Sequence, residues 1–434
     1  MLYQEWGFRG SPFETTALPP NQFGASLLVG RAESTATLRR KIASSAKLAT
    51  VEGLNGVGKT SVVNVSSFQL LKQHIDSGEG ALYIPCRKVF QIRPDLDLED
   101  FIDNVYMEIA QSLISQSEEI KRKGHYIRSA ALDRWLNKPQ AVSFTGGIWV
   151  VSAGRREAAN TTEGFQRSGF RKAVQGWLEE IFPDQRDGGV ICIIDNLELL
   201  QSSEAAREKL EYLRDELFTL PGLRWVLCGS LGIIFGVVSS PRLDGYLHAP
   251  VEIREIGKEH SKQILSSRVE AYRLREDAYI PLTEQAFETL YSALNGNLRS
   301  ALGYADDFCQ WVADREMPAS DDDKNSIFDY WLTQQSEKAH EAARSNLRPR
   351  AMAVFQTACE KSVFSPSDFE DFGFNSVPAF RPHVKDLEDI GALISTQDDG
   401  DKRRKTIQVT AKGWLIHYHL HTAHIRVEDA GSKE

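Results

Sequence analysis

The chain has 434 residues, a formal net charge of −9 and 41% hydrophobic residues. A chain of this length exceeds a single hydrophobic core, so two or three domains are expected, and the negative charge argues against a surface that binds nucleic acid all over. No apolar run approaches the roughly 18 residues that span a bilayer, and no secretory signal pattern is present. The five scattered cysteines indicate reduced thiols, so we expect a cytoplasmic protein without a membrane partner.

A glycine-rich loop follows the first predicted strand. Residues 53–60 read GLNGVGKT and match the pattern G-x-x-x-x-G-K-[ST] at every fixed position. The run KLATVE before the loop predicts a short buried strand, and TSVVNVSSFQLL after it predicts a helix. Glycines let consecutive backbone N–H groups converge on a phosphate, and the N-terminus of the helix adds partial positive charge. The pattern therefore predicts a phosphate loop of a nucleotide-binding protein.

Two side chains of this loop have separate predicted roles. Lys59 is expected to reach the β- and γ-phosphates, and the Thr60 hydroxyl is expected to complete the coordination of Mg²⁺. The predicted nucleotide-binding residues of the loop are Gly53, Leu54, Asn55, Gly56, Val57, Gly58, Lys59, Thr60 and Ser61.

A second metal ligand is predicted at the end of a later strand. Residues 190–194 form a continuous apolar run that ends in Asp195, the pattern of a central parallel strand that carries an acidic Mg²⁺ ligand. The next strand pattern, LRWVLCGS, ends in Ser230, which is either a polar group near the γ-phosphate or a turn serine. No N-K-x-D stretch is present to read guanine, so ATP is the expected nucleotide.

About ninety residues separate the strand GALYIPCRKV from the Asp195 strand, and we treat residues 97–187 as an insertion. The stretch LEDFIDNVYMEIAQSLIS predicts an amphipathic helix. Alternating apolar residues around Gly146 and Gly147 predict a β-hairpin. Arg155 and Arg156 follow it and suit contact with a partner, but a hairpin that only covers a core edge fits equally.

The C-terminal 180 or so residues read as two further units. Residues 258–345 carry apolar positions at helical spacing and predict a helical bundle. Residues 346–425 predict three helices, the second capped by Ser365 and the third covering VPAFRPHVKDLEDIGALI, and then a β-hairpin and a closing helix. This is the plan of a winged helix, and its tail is similar to that of bacterial winged regulators. Residues 426–434 are expected to form a flexible tail.

The predicted winged helix carries basic residues at two places. Arg381, His383 and Lys385 lie on the third predicted helix, and Lys402, Arg403, Arg404 and Lys405 lie on the hairpin, which suits contact with DNA phosphates. The same helix carries Asp386, Glu388 and Asp389, whose charges oppose a duplex. His417, His421 and His424 are spaced for one helix face, but without further ligands they indicate a solvated helix rather than a zinc site.

With these residues in place, the chain resembles the AAA+ ATPases over residues 20–420, most closely the origin-recognition initiator and STAND-like branches. The stretch LLVGRAESTATLRRKI resembles the box that lies against adenine, which implies Val29, Gly30 and Arg31 near the base. SSPRLDGYL resembles the segment of the arginine finger and implies Arg242; NGNLRSAL resembles the sensor-2 stretch and implies Arg299 at the γ-phosphate. A finger acts on a neighbouring subunit's nucleotide, so the resemblance implies an ATP-dependent oligomer or a partner protein.

One position departs from the AAA+ pattern. The residue after the metal-binding Asp is usually a Glu that polarises the attacking water, but here it is Asn196, and the nearest acid is Glu198. Asn holds a water but does not accept its proton. Either Glu198 replaces the missing base, or hydrolysis is slow and ATP acts chiefly as a switch; we favour slow hydrolysis.

The sequence therefore predicts an α/β P-loop NTPase with a parallel sheet, followed by a helical lid and a winged helix. The predicted boundaries are residues 1–257, 258–345 and 346–425. The favoured function is an ATPase that couples Mg-ATP binding and slow hydrolysis to DNA binding. Two alternatives remain: a STAND-type signalling or defence ATPase whose winged helix binds protein, and a mobile-element ATPase that recruits a recombinase.

Overall fold

The computed structural model describes residues 2–44, 47–127, 167–200, 203–231, 234, 242–243, 245–344, 348–397 and 405–431. The predicted hairpin around Gly146 and Gly147, with Arg155 and Arg156, lies outside the described residues. The same holds for Lys402, Arg403 and Arg404, for the side chain of Lys405 and for that of His424.

A five-stranded parallel sheet forms the centre of the nucleotide domain. Its strand order is β2-β3-β4-β1-β5, and every neighbouring pair is parallel. The strands are β1 (Ala49–Glu52), β2 (Leu82–Gln91), β3 (Gly188–Asp195), β4 (Leu223–Gly229) and β5 (Val251–Glu252). All residues of β3 and β4 are buried, as their continuous apolar sequences predict. The predicted parallel α/β fold is confirmed.

Helices cover both faces of this sheet. The helices of the nucleotide domain and its insertion are α1 (Leu2–Glu5), α2 (Gln22–Leu27), α3 (Ala32–Ala43), α4 (Lys59–Ser77), α5 (Leu98–Ser115), α6 (Ser117–Arg122), α7 (Arg167–Ile181) and α8 (Ser203–Leu213). Alternate residues of β3 face opposite layers: Ile191 and Ile193 pack with α3 and α4, whereas Cys192 and Ile194 pack with α5, α7 and α8. Because the sheet is covered on both faces, its open edge for a ligand lies at the carboxyl ends of the strands.

Four helices form the lid: α9 (Ser261–Tyr272), α10 (Glu284–Ala293), α11 (Leu298–Ala313) and α12 (Asp321–Arg344). The N-terminal residues pack on this lid rather than on the sheet with which the sequence analysis grouped them. Phe8 and Phe13 are buried in the core of the lid, and the Tyr3 hydroxyl donates to Asp306 Oδ1 at 2.6 Å. The aromatic residues of the N-terminus thus fill a surface that the lid helices leave open.

The C-terminal unit combines helices with a three-stranded antiparallel sheet of order β6-β8-β7. Its elements are α13 (Pro349–Lys361), β6 (Val363–Phe364), α14 (Val377–Asp389), β7 (Leu393–Gln397), β8 (Lys405–Val409) and α15 (Ala411–Gly431). The helices and the hairpin lie in the predicted order along the chain.

Three details of this unit differ from the sequence prediction, and one is that the closing helix α15 runs to Gly431, into residues 426–434 that were predicted to form a flexible tail. Ser365 forms the expected capping box with Asp368, but only a 3₁₀ turn follows, because Phe372 turns in to pack on Phe364 and Phe380, with ring centroids 4.7 Å apart in each pair. The third predicted helix ends at Asp389 instead of continuing to residue 394. Gly391 takes a left-handed conformation (φ +73°) there, and the following residues enter β7.

None of the helices in the described part of the chain combines the length and the apolar character that crossing a membrane requires.

Candidate nucleotide-binding site

The glycine-rich loop connects β1 to α4 with the geometry that its sequence predicts. Gly56 and Gly58 take left-handed conformations (φ +85° and +95°), which L-residues with a Cβ rarely adopt. A Cβ at Gly53 would lie 2.3 Å from the carbonyl oxygen of Ile253, so the close approach of the neighbouring backbone requires glycine. The loop therefore has the tight backbone path of a phosphate cradle, and α4 begins directly after it, at Lys59.

Lys59 lies inside this loop. Its side chain is only 6% exposed, and Nζ donates to the carbonyl oxygens of Gly53 at 2.9 Å and Leu54 at 3.2 Å. Within the described residues, no carboxylate forms an ion pair with this ammonium. A buried charge held by neutral carbonyls alone is costly, so an anion in the loop would stabilise it.

Thr60 and Asp195 meet beside the loop. The Thr60 hydroxyl donates to Asp195 Oδ2 at 2.5 Å, and Asp195 Oδ1 accepts the N–H of Asn196 at 2.9 Å. A hydroxyl and a carboxylate oxygen suit Mg²⁺, which is usually held by one or two protein oxygens together with water and phosphate. Among the described side chains, no group of three or more His, Cys, Asp or Glu is placed to hold a metal ion. Any Mg²⁺ here thus needs phosphate oxygens and water to complete its coordination.

Three further predicted residues lie at the ends of β3 and β4. Asn196 takes a left-handed conformation (φ +57°) and lines the cavity at the loop. Glu198 Oε2 accepts the backbone N–H of Ser230 at 3.1 Å, which ties the end of β3 to the end of β4. Neither Glu198 nor Ser230 lines this cavity. The structure therefore joins Glu198 to the end of β4 and gives it a structural contact in addition to its predicted catalytic role.

The cavity has three walls. The phosphate loop forms one, Asn196 lies beside it, the start of α11 with Arg268 of α9 forms the second, and the N-terminal segment forms the third. The lining residues are Glu14, Thr15, Thr16, Ala17, Asn55, Gly56, Gly58, Lys59, Thr60, Ser61, Asn196, Arg268, Leu298, Arg299 and Leu302.

The lid touches the loop at the start of α11. Asn297 caps this helix by accepting the N–H of Ser300, and its Nδ2 donates to the carbonyl oxygen of Asn55 at 3.4 Å. A Cβ at Gly56 would lie 3.1 Å from Asn297 Oδ1 and 3.3 Å from Arg299 Cβ. The predicted Arg299 thus lies at the cavity. The sequence analysis missed Asn297, although its place as a cap residue two positions before Arg299 was a visible signal.

Arg31 contacts the phosphate loop outside the cavity. Its Nη2 donates to the carbonyl oxygen of Val57 at 2.8 Å, and burial lowers the pKa of its guanidinium. Val29 is buried, and a Cβ on Gly30 would meet His260 and Ile256. None of residues 29–31 lines the cavity, so a contact with adenine stays a prediction.

Arg242 lies away from the cavity. Its guanidinium contacts Asp215 Oδ2 at 3.0 Å and Glu211 Oε2 at 3.8 Å, and the side chain is 54% exposed. A role as an arginine finger requires the nucleotide of a neighbouring subunit, and it stays a prediction.

The predicted DNA-contacting residues lie far along the chain, on α14. Arg381 and Lys385 are exposed, whereas His383 is half-buried, with its ring centroid 5.3 Å from that of Phe374. Asp386 and Glu388 on the same helix are half-buried. Asp389 at the end of the helix is exposed like the two basic residues, so contact of this helix with DNA phosphates stays a prediction.

A larger cleft of about 610 Å³ lies between α10 and α15, away from the phosphate loop. Its residues from α15 are Trp414, His417, Tyr418 and His421, and the rings of His417 and His421 lie 4.3 Å apart. The sequence analysis expected this helix to be solvated. Its start is instead packed against the lid, where Trp414, Leu415 and Ile416 are buried.

No protein-family model and no curated protein matches this chain. Several solved structures match it over nearly its full length. The ORC1 protein of Aeropyrum pernix in complex with DNA has 13% identity, covers 97% of this chain and 99% of its own, and has a TM-score of 0.43. A Walker-type ATPase of Pyrococcus abyssi has 14% identity, covers 93% and 99%, and has a TM-score of 0.48.

Cdc6p of Pyrobaculum aerophilum has 15% identity, covers 96% of this chain and 98% of its own, and has a TM-score of 0.39. The ORC1 and Cdc6p structures are of the Orc1/Cdc6 type.

Proposed function

We propose that the chain is a Mg-ATP-binding AAA+-like ATPase that works as a nucleotide-dependent switch. One observation carries the proposal: Lys59, Thr60 and Asp195 converge at the carboxyl edge of the parallel sheet, with the lid residues Asn297 and Arg299 across the loop. This is a site with a cation for phosphate, oxygen ligands for a metal and a movable wall.

Binding follows from the charges at this site. The Lys59 ammonium exchanges its two carbonyl acceptors for the β- and γ-phosphates, which carry the negative charge that its burial lacks. Thr60 and Asp195 would hold Mg²⁺, whose charge neutralises the phosphate oxygens. Backbone N–H groups at the start of α4 add the partial positive charge of the helix N-terminus.

Hydrolysis is proposed to be slow. The position after Asp195 holds Asn196, whose amide orients a water but takes no proton. Glu198 is the nearest acid, and one of its oxygens already accepts the Ser230 N–H. A site that binds the metal nucleotide well and activates water poorly keeps ATP bound for long periods, which suits a switch.

The lid converts nucleotide occupancy into movement. Arg299 lines the cavity, and Asn297 contacts the loop through Asn55. A γ-phosphate at Lys59 attracts the Arg299 guanidinium, and loss of that phosphate removes the attraction. The angle of the lid, and of the C-terminal unit packed on it, then depends on the nucleotide.

The test is nucleotide binding by the full chain, measured by titration with a fluorescent ATP analogue with and without Mg²⁺. Lys59→Ala is expected to weaken binding at least about a hundredfold, since it removes a charged partner of two phosphates. Lys72→Ala is the matched control, because Lys72 lies on the same helix, exposed, and pairs with Asp76. Equal affinity of Lys59→Ala and the unmodified protein would overturn the proposal.

We propose that the C-terminal unit is a winged helix and that its partner is DNA. Exposed Arg381 and Lys385 on α14 and the basic run 402–405 of the hairpin supply positive charge for phosphates. Alanine at the four positions of the run should weaken duplex binding. The slope of the logarithm of the binding constant against the logarithm of the salt concentration should become less negative by roughly 0.9 for each lost phosphate contact. Lys121→Ala with Arg122→Ala on α6 is the control, and unchanged duplex binding after loss of the run would exclude this partner surface.

A second candidate is the STAND-type switch, in which the C-terminal unit binds protein. The packing of α15 on the lid favours it: the ring of His419 stacks on His340 of α12 with centroids 4.6 Å apart. In this function ATP releases the C-terminal unit from the lid. Nucleotide-dependent hydrogen exchange in α15 without any duplex binding would support it over the DNA-binding switch.

A further inference from the structure

The N-terminal residues 11–18, which we call the strap, are fixed to the phosphate-loop helix at one end. The Leu18 N–H donates to Ser61 Oγ at 3.0 Å, and Asn64 Nδ2 donates to the Leu18 carbonyl oxygen at 2.8 Å. Ser61 and Asn64 belong to the first turns of α4, directly after Lys59 and Thr60. This end of the strap is therefore attached to the helix that begins at the phosphate loop.

The other end of the strap is fixed to the lid. Arg268 Nη1 of α9 donates to the carbonyl oxygens of Pro12 at 3.0 Å and Glu14 at 3.1 Å. The Tyr272 hydroxyl donates to Glu14 Oε2 at 2.9 Å, and Ser11 Oγ donates to Asp306 Oδ1 at 2.7 Å. Between the two ends, residues 14–17 are exposed and line the nucleotide cavity. The strap thus crosses the cavity from lid to loop.

Arg268 is an unusual residue for this place. It is 5% exposed, its Nε has no hydrogen-bond partner within the described part of the chain, and no carboxylate there forms an ion pair with it. Burial lowers the pKa of its guanidinium. A buried guanidinium without a paired carboxylate is costly, so packing alone does not explain it. A role as a donor does explain it, because the two N–H groups of Nη1 hold two carbonyl oxygens of the strap at once.

We propose that Arg268 is a positioning residue of the nucleotide site: it holds residues 14–17 of the strap over the bound nucleotide and so ties the lid to nucleotide occupancy. The inference rests on the proposed function. The bound nucleotide contacts the strap from inside the cavity, and its phosphates supply negative charge near the unpaired guanidinium. By linkage, the strap contacts of the lid strengthen nucleotide binding as much as the nucleotide strengthens those contacts.

The test compares Arg268→Gln, Arg268→Lys and Arg275→Gln in the full chain. Arg275 is the matched control, because it also joins the lid region to the N-terminus, through the Glu5 carbonyl oxygen at 2.8 Å, but lies outside the cavity lining. Affinity for Mg-ADP and Mg-ATP analogue is measured by titration. Hydrogen exchange of the peptide that contains residues 11–18 is measured with and without nucleotide.

In the unmodified protein, nucleotide is expected to slow hydrogen exchange in the strap. Arg268→Gln is expected to bind about tenfold more weakly and to lose this protection, since it removes two hydrogen bonds from a charged donor. Arg268→Lys should fall between them, because the shorter side chain keeps the charge but places its nitrogen farther from the two carbonyl oxygens, and Arg275→Gln should behave like the unmodified protein. A purely structural Arg268 would lower the melting temperature and leave affinity and protection unchanged, and that result overturns the proposal.

If circular dichroism shows that Arg268→Gln does not fold, Tyr272→Phe replaces it: loss of one hydroxyl at the same end should weaken binding about threefold, and unchanged binding and protection overturn the proposal. If the unmodified protein binds no nucleotide, the proposed function fails first and takes this inference with it. If the unmodified protein binds nucleotide and Arg268→Gln changes neither affinity nor protection, the inference fails and the proposed function stands.

Discussion

The Thr60 hydroxyl donates to the Asp195 carboxylate at 2.5 Å, although 135 positions separate the two residues in the chain. The strand order explains the contact. β4 lies between β1 and β3, and α4 packs across the sheet, so the start of α4 reaches the carboxyl end of β3. The two oxygen atoms that we propose as Mg²⁺ ligands therefore lie together, so the proposed binding of Mg-ATP requires little reorganisation at this point.

This contact makes a prediction for Asp195→Asn. Asparagine keeps the size but only one of the two acceptor oxygens that serve the Thr60 hydroxyl and the Asn196 N–H, and it loses the charge that Mg²⁺ requires, so nucleotide binding should lose its dependence on Mg²⁺. We expect the affinity for Mg-ATP to fall at least about tenfold, the scale seen when even an outer partner of a metal ligand is removed. Titration over a series of Mg²⁺ concentrations measures it, with Asp76→Asn on the exposed face of α4 as control. An unchanged Mg²⁺ dependence would remove Asp195 from the metal site.

Glu198→Gln tests the proposal of slow hydrolysis. Glutamine retains an oxygen for the Ser230 N–H, so the ends of β3 and β4 stay joined. If no side chain acts as a strong base, turnover should stay within about twofold of the unmodified protein. General-base catalysis typically contributes about a hundredfold or more, so a loss of that size in a phosphate-release assay would instead assign the base to Glu198.

Arg299→Ala tests the coupling between nucleotide and lid. The guanidinium is proposed to contact the γ-phosphate, so the variant should bind ATP about tenfold more weakly. Its affinity for ADP, which has no γ-phosphate, should be unchanged. Arg315→Ala is a suitable control, because Arg315 is another lid arginine and stacks on Trp311 at 3.7 Å, outside the cavity lining. Equal losses for ATP and ADP would place Arg299 at another part of the nucleotide.

Residues close together in the motif could be predicted from the sequence, because their spacing alone fixes their chemistry. The glycine pattern around Lys59 and the apolar run before Asp195 predicted the loop and the buried strands, whereas the role of Thr60 and Asp195 as metal ligands stays a prediction. The start of the lid helix at Arg299 followed from a local pattern as well. Each of these predictions depends on one short stretch of consecutive residues and on the spacing of the apolar residues within it.

The strap could not be predicted, because its contacts are made between distant parts of the chain. Arg268 and Pro12 are 256 positions apart, and no local pattern pairs a lid arginine with two backbone carbonyl oxygens. Phe8 and Phe13 are buried in the core of the lid, and no local pattern in the sequence indicates which surface they fill. The early end of α14 at Asp389 was visible in principle, since Gly391 is the residue type that ends helices in the left-handed conformation.

The interface between α12 and α15 predicts a loss of stability in acid. The rings of His340 and His419 stack with centroids 4.6 Å apart. Burial, the charge of His419 and that of Arg344 lower the pKa of His340, and Glu341 opposes them only in part. His417 behaves alike: burial and His421 lower its pKa, against Glu360. A lowered pKa in the folded state means that the unfolded chain takes up protons first as the pH falls.

Stability from these histidines is therefore complete above their ordinary pKa of 6.5 and decreases as the pH falls from there toward the lowered values. The melting temperature should be lower at about pH 5.5 than at about pH 7.5. Because carboxylates also contribute to acid sensitivity, the measurement is the difference between variants. His340→Gln should reduce the drop, whereas His125→Gln, in the turn after α6, should not. An equal drop in all three proteins would show that the histidine stack does not control the docking of α15.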